Sequence, residues 1–288
     1  MSISHDRLVS DFKSLGLGKG DLVAMHSSLK SIGQVEGGAD TVIDALLDCI
    51  GCDGTLMTPT FTHCFEGSKN LQPFDKNSTP ALTGLITETL RKRTEAYRSL
   101  HPTHSAAAIG RLADEITRDH LKATPLGIGS PFHRLHEHDG SILLLGVGHN
   151  TNSFVHVAEV MVGVSYANVY CWLHLDWLPS ARFIDEEGRE QILDIYECPG
   201  DSRAFPKLNA LMRGRGYLRE GLIGHAPSQL MKASHLFEVV RDAVAEEPAF
   251  VLCDEGACKA CDVRRSSIGM PTRHSVPPAD EWVRKVSL

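Results

Sequence analysis

Short apolar runs alternate along this chain with stretches of helical periodicity, and that alternation confines it to α/β architectures. The strongest run is Ser141-Ile142-Leu143-Leu144-Leu145-Gly146-Val147. A polar turn, Gly148-His149-Asn150-Thr151-Asn152-Ser153, follows it and leads into a helix carrying His156 and Glu159. Leu22-Val23-Ala24-Met25-His26 is a second run of buried-strand type, and Thr55-Leu56-Met57-Thr58-Pro59 a third, set off by the Asp53-Gly54 turn. Helical patterns cover residues 5–16, which stop at a Gly-rich stretch, and 39–50, which follow Gly37-Gly38. Residues 62–83 form a long polar segment, best understood as a functional loop. Helices are expected at 84–94 and 111–122, with a stretch of small residues at 101–109 between them. Two or more strands are expected within 168–195, around the turn Asp185-Glu186-Glu187-Gly188. Helix and strand then alternate up to Phe250-Val251-Leu252. Without an internal repeat or linker, the expectation is one compact mixed α/β domain over residues 1–288, with a small C-terminal cysteine-rich segment at 253–270.

Charge narrows the choice of partners. The 29 Lys and Arg against 36 Asp and Glu leave a formal charge of -7, and the basic clusters Arg91-Lys92-Arg93 and Arg264-Arg265 are too short to build a phosphate groove. Nucleic acid is therefore not the expected partner, and an acidic surface favours a cationic small molecule. No window approaches ~18 uninterrupted apolar residues, so no membrane span is expected. The N-terminal residues lack the basic start and apolar core of a signal peptide, which points to the cytoplasm. There the eight cysteines would stay reduced.

Three segments offer chemistry. His156, following a strand and turn, stands where open α/β sheets often place catalytic groups, and Glu159 lies three residues on, on the same helical face. A neutral imidazole there would take a proton from an amine or hydroxyl, although spacing alone equally allows a histidine packed at a helix start. Ser27-Ser28-Leu29-Lys30-Ser31 follows a strand and offers hydroxyls and backbone N–H groups to a phosphate, or simply a capped helix start. It is not a Walker loop, and the chain has no G-x-G-x-x-G fingerprint. The run from Arg98 to Ser105 brings one cation, two histidines and several hydroxyls, with the same ambiguity. Cys253-x4-Cys258-x2-Cys261 supplies three thiolates at spacings compatible with tetrahedral zinc; Cys198 is the best candidate for the fourth ligand, and unliganded thiols are the alternative.

Taken together, several motifs are specific. His26-Ser27-Ser28-Leu29, Gly37-Gly38, Gly54-Thr55-Leu56-Met57-Thr58-Pro59, Pro73-Phe74-Asp75 with Thr79-Pro80, and Arg98-Ser99-Leu100-His101-Pro102 occur in that order. Ser130-Pro131 and the stretch from Leu143 to His149, ending in His156-Val157-Ala158-Glu159, complete the series. The chain resembles the aminoglycoside 3-N-acetyltransferases from about residue 7 to about residue 270. Gly148-His149, Gly224-His225-Ala226 and Cys258-x-x-Cys261 before Ser267-Ile268-Gly269 are similar to the apramycin- and gentamicin-acetylating branch. Asn150 departs from it by replacing a usual aspartate.

The resemblance implies transfer of acetyl from acetyl-CoA to the 3-amino group of a 2-deoxystreptamine aminoglycoside, giving antibiotic resistance. It implies His156 as general base, with Glu159 or Asp176 orienting its ring. Ser27, Ser28, Leu29 and Lys30, with Ser99, His101 and Ser105, would line the CoA site, and Asp75 would pair with a sugar ammonium group. The branch carries Cys or His residues in both regions named for the metal, consistent with structural zinc. No G-x-S-x-G elbow is present and no cysteine neighbours a good base in sequence, so direct attack is expected rather than an acyl-enzyme. A non-antibiotic amine acceptor, or an inactive zinc-stabilised binding protein, are the alternatives, and the protein is expected as monomer or homodimer.

Overall fold

The computed structural model describes residues 2–69, 72–270 and 276–286. The first half of the chain comprises α1 (His5–Leu15), β1 (Leu22–Ser27), α2 (Leu29–Ile32), α3 (Ala39–Ile50), β2 (Thr55–Pro59), α4 (Leu85–Arg91), β3 (Tyr97–Arg98) and β4 (Ala106–Gly110). Next come α5 (Ala113–Thr117), α6 (Pro131–Glu137), β5 (Ser141–Leu145), α7 (Phe154–Val162), β6 (Ser180–Ile184) and β7 (Glu190–Asp194). The chain ends with α8 (Leu208–Gly214), β8 (Arg219–Ile223), β9 (Ala226–Lys232), α9 (Ala233–Glu246), α10 (Lys259–Arg265) and β10 (Val283–Lys285).

The apolar strand runs become the centre of a seven-stranded sheet ordered β3-β4-β2-β1-β5-β9-β8. β1 runs parallel to β2 and to β5, and antiparallel β4–β3 and β9–β8 pairs complete the two flanks. Because strand side chains alternate between faces, Val23, Met25, Leu143 and Leu145 pack with α1, α3 and α4, while Ala24, Ile142 and Leu144 pack with α6, α7 and α9. Burial on both faces explains the unbroken apolar runs, and each buried Leu stabilises the fold by about 1.5–3 kcal/mol. The β8–β9 hairpin turns at Gly224, whose φ is 60° and whose position a Cβ could not share with the Ile32 carbonyl, 2.7 Å away. A second sheet, β10-β7-β6, packs Phe183, Leu193 and Trp282 against Phe74 and Cys64 of the long loop.

Most of the expected elements form, with informative differences. The small-residue stretch contains β4, in which Ala106, Ala107 and Ala108 are fully buried; alanine is a poor strand former, but here close packing from both helical layers overrides propensity. The expected helix at 111–122 is split into α5 and a 3-10 turn at His120–Lys122, separated by Asp119 in the left-handed conformation. Helix α6 was not legible from periodicity, and residues 250–252 form a turn, with Val251 and Leu252 buried, instead of a strand. No helix among the described residues is long and apolar enough to cross a membrane.

Candidate active site

The first crossover carries the chain from β1 to β2 on one side, and β5 adds on the other side of β1. Such a reversal leaves a crevice at the carboxyl ends of the strands. A cleft of about 380 Å³ lies there, reached by His26 and Ser27 from β1, Pro59 from β2 and Val147 beyond β5. Helix α2 is fastened to the turn after β5, where the Ser31 hydroxyl donates to the Gly146 carbonyl at 3.0 Å. Gly146 has φ 68°, and a Cβ on it would stand 2.5 Å from Ser31 Cβ. The turn after β5 is built by Asn152, whose side-chain oxygen accepts from the Phe154 N–H at 3.2 Å at the start of α7. That start puts Thr151, Asn152, Ser153 and His156 on the cleft wall.

His156 is 7% exposed, and its Nδ1 lies 2.6 Å from Glu159 Oε2. With Nδ1–H donated to the carboxylate, Nε2 is the ring nitrogen left for the cleft. Phe205 meets the ring edge-on, with centroids 4.8 Å apart. Glu159 is 2% exposed; burial pushes its pKa up, but the hydrogen bond and charge of His156, with Arg264 and Tyr166 beside it, bring the balance below the usual carboxylate value. Its second oxygen, Oε1, is 3.5 Å from Arg264 Nη1. The opposite wall is aromatic: Trp177 stacks on Phe65 and His63, with centroids 5.3 and 5.9 Å apart, and Trp172 donates its indole N–H to the Pro199 carbonyl at 2.8 Å.

Burial disfavours the charged form of three histidines in the cleft. Burial, and to a smaller extent His149, push the pKa of His26 down to about 3. Burial likewise lowers His63, and takes His104 well below the usual value. No carboxylate, lysine or arginine stands among the described residues lining this cleft.

The structure sorts the expected site residues. Glu159 meets the His156 ring, whereas Asp176 is exposed at the end of a 3-10 turn, so of the two expected carboxylates it is Glu159 that is hydrogen-bonded to the ring. Of the serine turn, Ser27 lines the cleft; Ser28 accepts from Ser31, Leu29 packs against the core and Lys30 is exposed. Ser99, His101 and Ser105 are buried in scaffold hydrogen bonds: Ser99 with His120, His101 with the N–H groups of Thr103 and His104, Ser105 with Thr60 and Arg98. His104, not any of these three, faces the cleft from that segment. Asp75 is a turn cap: its Oδ1 accepts from Asn77 N–H at 2.8 Å and its Oδ2 from the Ser78 hydroxyl at 2.9 Å, with no place on the cleft wall. Those bonds, with the Asn77 N–H the largest influence, hold its carboxyl below the usual range. His104 lies within the Ser99–Ser105 segment that the resemblance placed at the CoA site, whereas sequence reasoning did not assign Trp177, Asn152 or Arg264. Two of the chain's three tryptophans flanking the turn at 173–175 were the signal available.

The thiols of Cys253, Cys258 and Cys261 lie within 4.8 Å of one another, all buried. Tetrahedral zinc needs sulfurs about 3.8 Å apart, so the three fit that ion. Cys198 is not among them; it packs with Phe65, Ala181 and Ile195 in a separate cluster. Asp201 lies beside them, with its Oδ1 3.7 Å from Cys253 Sγ and its carboxylate also facing Cys258.

The sequence pattern of the family described as aminoglycoside 3-N-acetyltransferase matches residues 24–245. Aminoglycoside N(3)-acetyltransferase IV of Salmonella sp is 29% identical over 247 residues, covering 85% of this chain and 88% of the relative. The apoenzyme structure of aminoglycoside acetyltransferase AAC(3)-IVa aligns with a TM-score of 0.81 at 28% identity, over 93% of this chain and 98% of that one. AAC-IIIb, in a binary complex with CoASH, aligns with a TM-score of 0.75 at 25% identity, over 85% and 97% of the two chains. Matched along most of its length and alike in fold, the chain belongs to the aminoglycoside 3-N-acetyltransferase family.

Proposed function

We propose that this enzyme transfers the acetyl group of acetyl-CoA to the 3-amino group of a 2-deoxystreptamine aminoglycoside, conferring resistance, with His156 as general base. The observation that carries the reading is the buried His156–Glu159 pair on the wall of a cleft where three core strands end. An aliphatic amine is protonated at neutral pH and must lose a proton before it attacks. His156 Nε2 takes a proton from the attacking nitrogen as the N–C bond forms at the thioester carbonyl. The C–S bond then breaks, and the leaving CoA sulfur takes the proton held on His156 Nε2, which restores the base; the proton that the ammonium group lost beforehand goes to solvent. Glu159 steadies the imidazolium that forms between these events. No described hydroxyl or thiol is hydrogen-bonded to His156, which favours direct attack over an acyl-enzyme. Residence in the cytoplasm, where acetyl-CoA is available, accords with eight unpaired cysteines.

A second reading has a specific observation behind it. A polycation is usually received by carboxylates, and the described cleft wall has none. An acceptor amine with fewer charges would meet the π-faces of Trp172 and Trp177 instead. A thiol-release assay with acetyl-CoA against a panel of aminoglycosides and simple aryl or sugar amines separates the two. Turnover of 2-deoxystreptamine compounds alone supports the first; turnover of low-charge amines alone overturns it.

With the Asp201 carboxylate, 3.7 Å from Cys253 Sγ, as the candidate for the fourth position, Cys253, Cys258 and Cys261 would hold a structural zinc. When bound it supplies a cross-link between the segment after α9 and the loop before α8, which adds directly to folding stability. Arg203, whose Nε lies 2.9 Å from Asp201 Oδ2, balances part of the negative charge of such a donor set.

A further inference from the structure

Helix α10 starts from Cys258, includes Cys261, and carries Arg264 one turn later. Arg264 is 2% exposed. Its Nη2 donates to the Cys198 carbonyl at 2.6 Å, its guanidinium lies 5.5 Å from the Tyr166 ring centre, and its Nη1 is 3.5 Å from Glu159 Oε1. The backbone leaves room for it at Gly200, where an added Cβ would come within 2.8 Å of the guanidinium carbon. A buried cation is expensive unless an anion faces it, and the anion here is the carboxylate that holds the proposed base.

We propose that Arg264 is a positioning residue for acetyl transfer, keeping Glu159 ionised and aimed at His156, so that the cysteine-rich segment is a working part of the active centre. A carboxylate this deeply buried would favour its neutral form if His156 were its one partner. A neutral Glu159 would no longer impose the tautomer that leaves Nε2 free. The groups facing the pair come from several elements. His104 lies before β4, Tyr166 and Cys171 follow α7, and Glu197 follows β7 and shares a small crevice with His156, Glu159 and Arg264. Burial holds His104 neutral, and it also raises Tyr166, Cys171 and Glu197. Arg264 is thus the one cation among the described groups around the pair.

The inference rests on His156 being the base, and the experiment separates the two. Rate–pH profiles are measured for Arg264→Gln and Arg264→Lys by thiol release, with circular dichroism and a thermal midpoint to confirm the fold. Removing the cation raises the proton affinity of the His156–Glu159 pair, so Arg264→Gln should move the acid limb up by about one pH unit. Turnover at pH 7 should drop roughly tenfold with an unchanged acetyl-CoA KM. Arg264→Lys should return the limb to its original position. A folded Arg264→Gln enzyme that has lost thermal stability but keeps limb and turnover overturns the proposal. If Arg264→Gln does not fold, Arg264→Met takes its place: an acid limb raised by about one pH unit at unchanged acetyl-CoA KM supports the proposal, and a folded Arg264→Met enzyme with the original limb and turnover overturns it. Full activity in His156→Ala would remove the parent reading whatever the Arg264 variants do.

Discussion

Glu159 determines which tautomer His156 presents to the cleft. With the carboxylate accepting from Nδ1–H at 2.6 Å, the lone pair stays on Nε2. Glu159→Gln keeps the shape but can donate its amide to Nδ1, which places the proton on Nε2 and removes the base. Turnover should fall by about a hundredfold while CoA affinity, read by calorimetry, stays within twofold. Spacing alone brought this pair to notice, because residues three apart share a helical face. Its counterpart Asp176 shows where residue-level reasoning loses grip: both are carboxylates near the base in the family pattern, but one is buried and the other is exposed on a turn. Asp75 teaches the same point. A carboxylate in a functional loop suits an ammonium group, yet its two oxygens are engaged by its own turn, something that depends on backbone geometry unseen in sequence.

At the scale of elements, β1, β2 and β5 were legible because strands buried on both faces must be apolar throughout, and α3 and α7 because of their periodicity. Helix α6 had a start signal, Ser130 capping the His133 N–H with Pro131 at the first turn, but its two histidines and arginine blur the apolar stripe. The partners of the cysteine cluster could not be read either, since Cys198 and Asp201 are three residues apart in sequence and only their backbone paths send them to different clusters. Two predictions belong here. Gly146→Ala, forced into φ 68° and against Ser31, should cost about 2 kcal/mol or more of stability, measured by urea unfolding. Purified protein should hold about one zinc per chain, and chelation should lower the thermal midpoint before initial activity falls. Metal-free protein with all eight thiols titratable would remove the site.

Across the whole molecule, the buried histidines set the response to acid. Burial holds His26 and His120 at a pKa of about 3 and His149 at about 4, against an ordinary value of 6.5. Below pH 6.5 the unfolded chain binds protons that the native state refuses, so stability falls as pH falls, until the native rings themselves titrate near pH 3–4. Each such ring contributes a slope of up to about 1.4 kcal/mol per pH unit in that window. The thermal midpoint should therefore decline steeply from pH 6.5 to 4; a flat profile there would mean that these rings are solvated or paired in solution.

The central claim is that His156, held by Glu159 at the ends of the core strands, removes the proton from the attacking amine. The most direct measurement is acetyl-CoA-dependent thiol release by His156→Ala at saturating acceptor, alongside CoA binding by calorimetry. The account predicts turnover lower by roughly 10²–10⁴ with CoA affinity nearly intact. Turnover equal to that of the unmodified enzyme would contradict it.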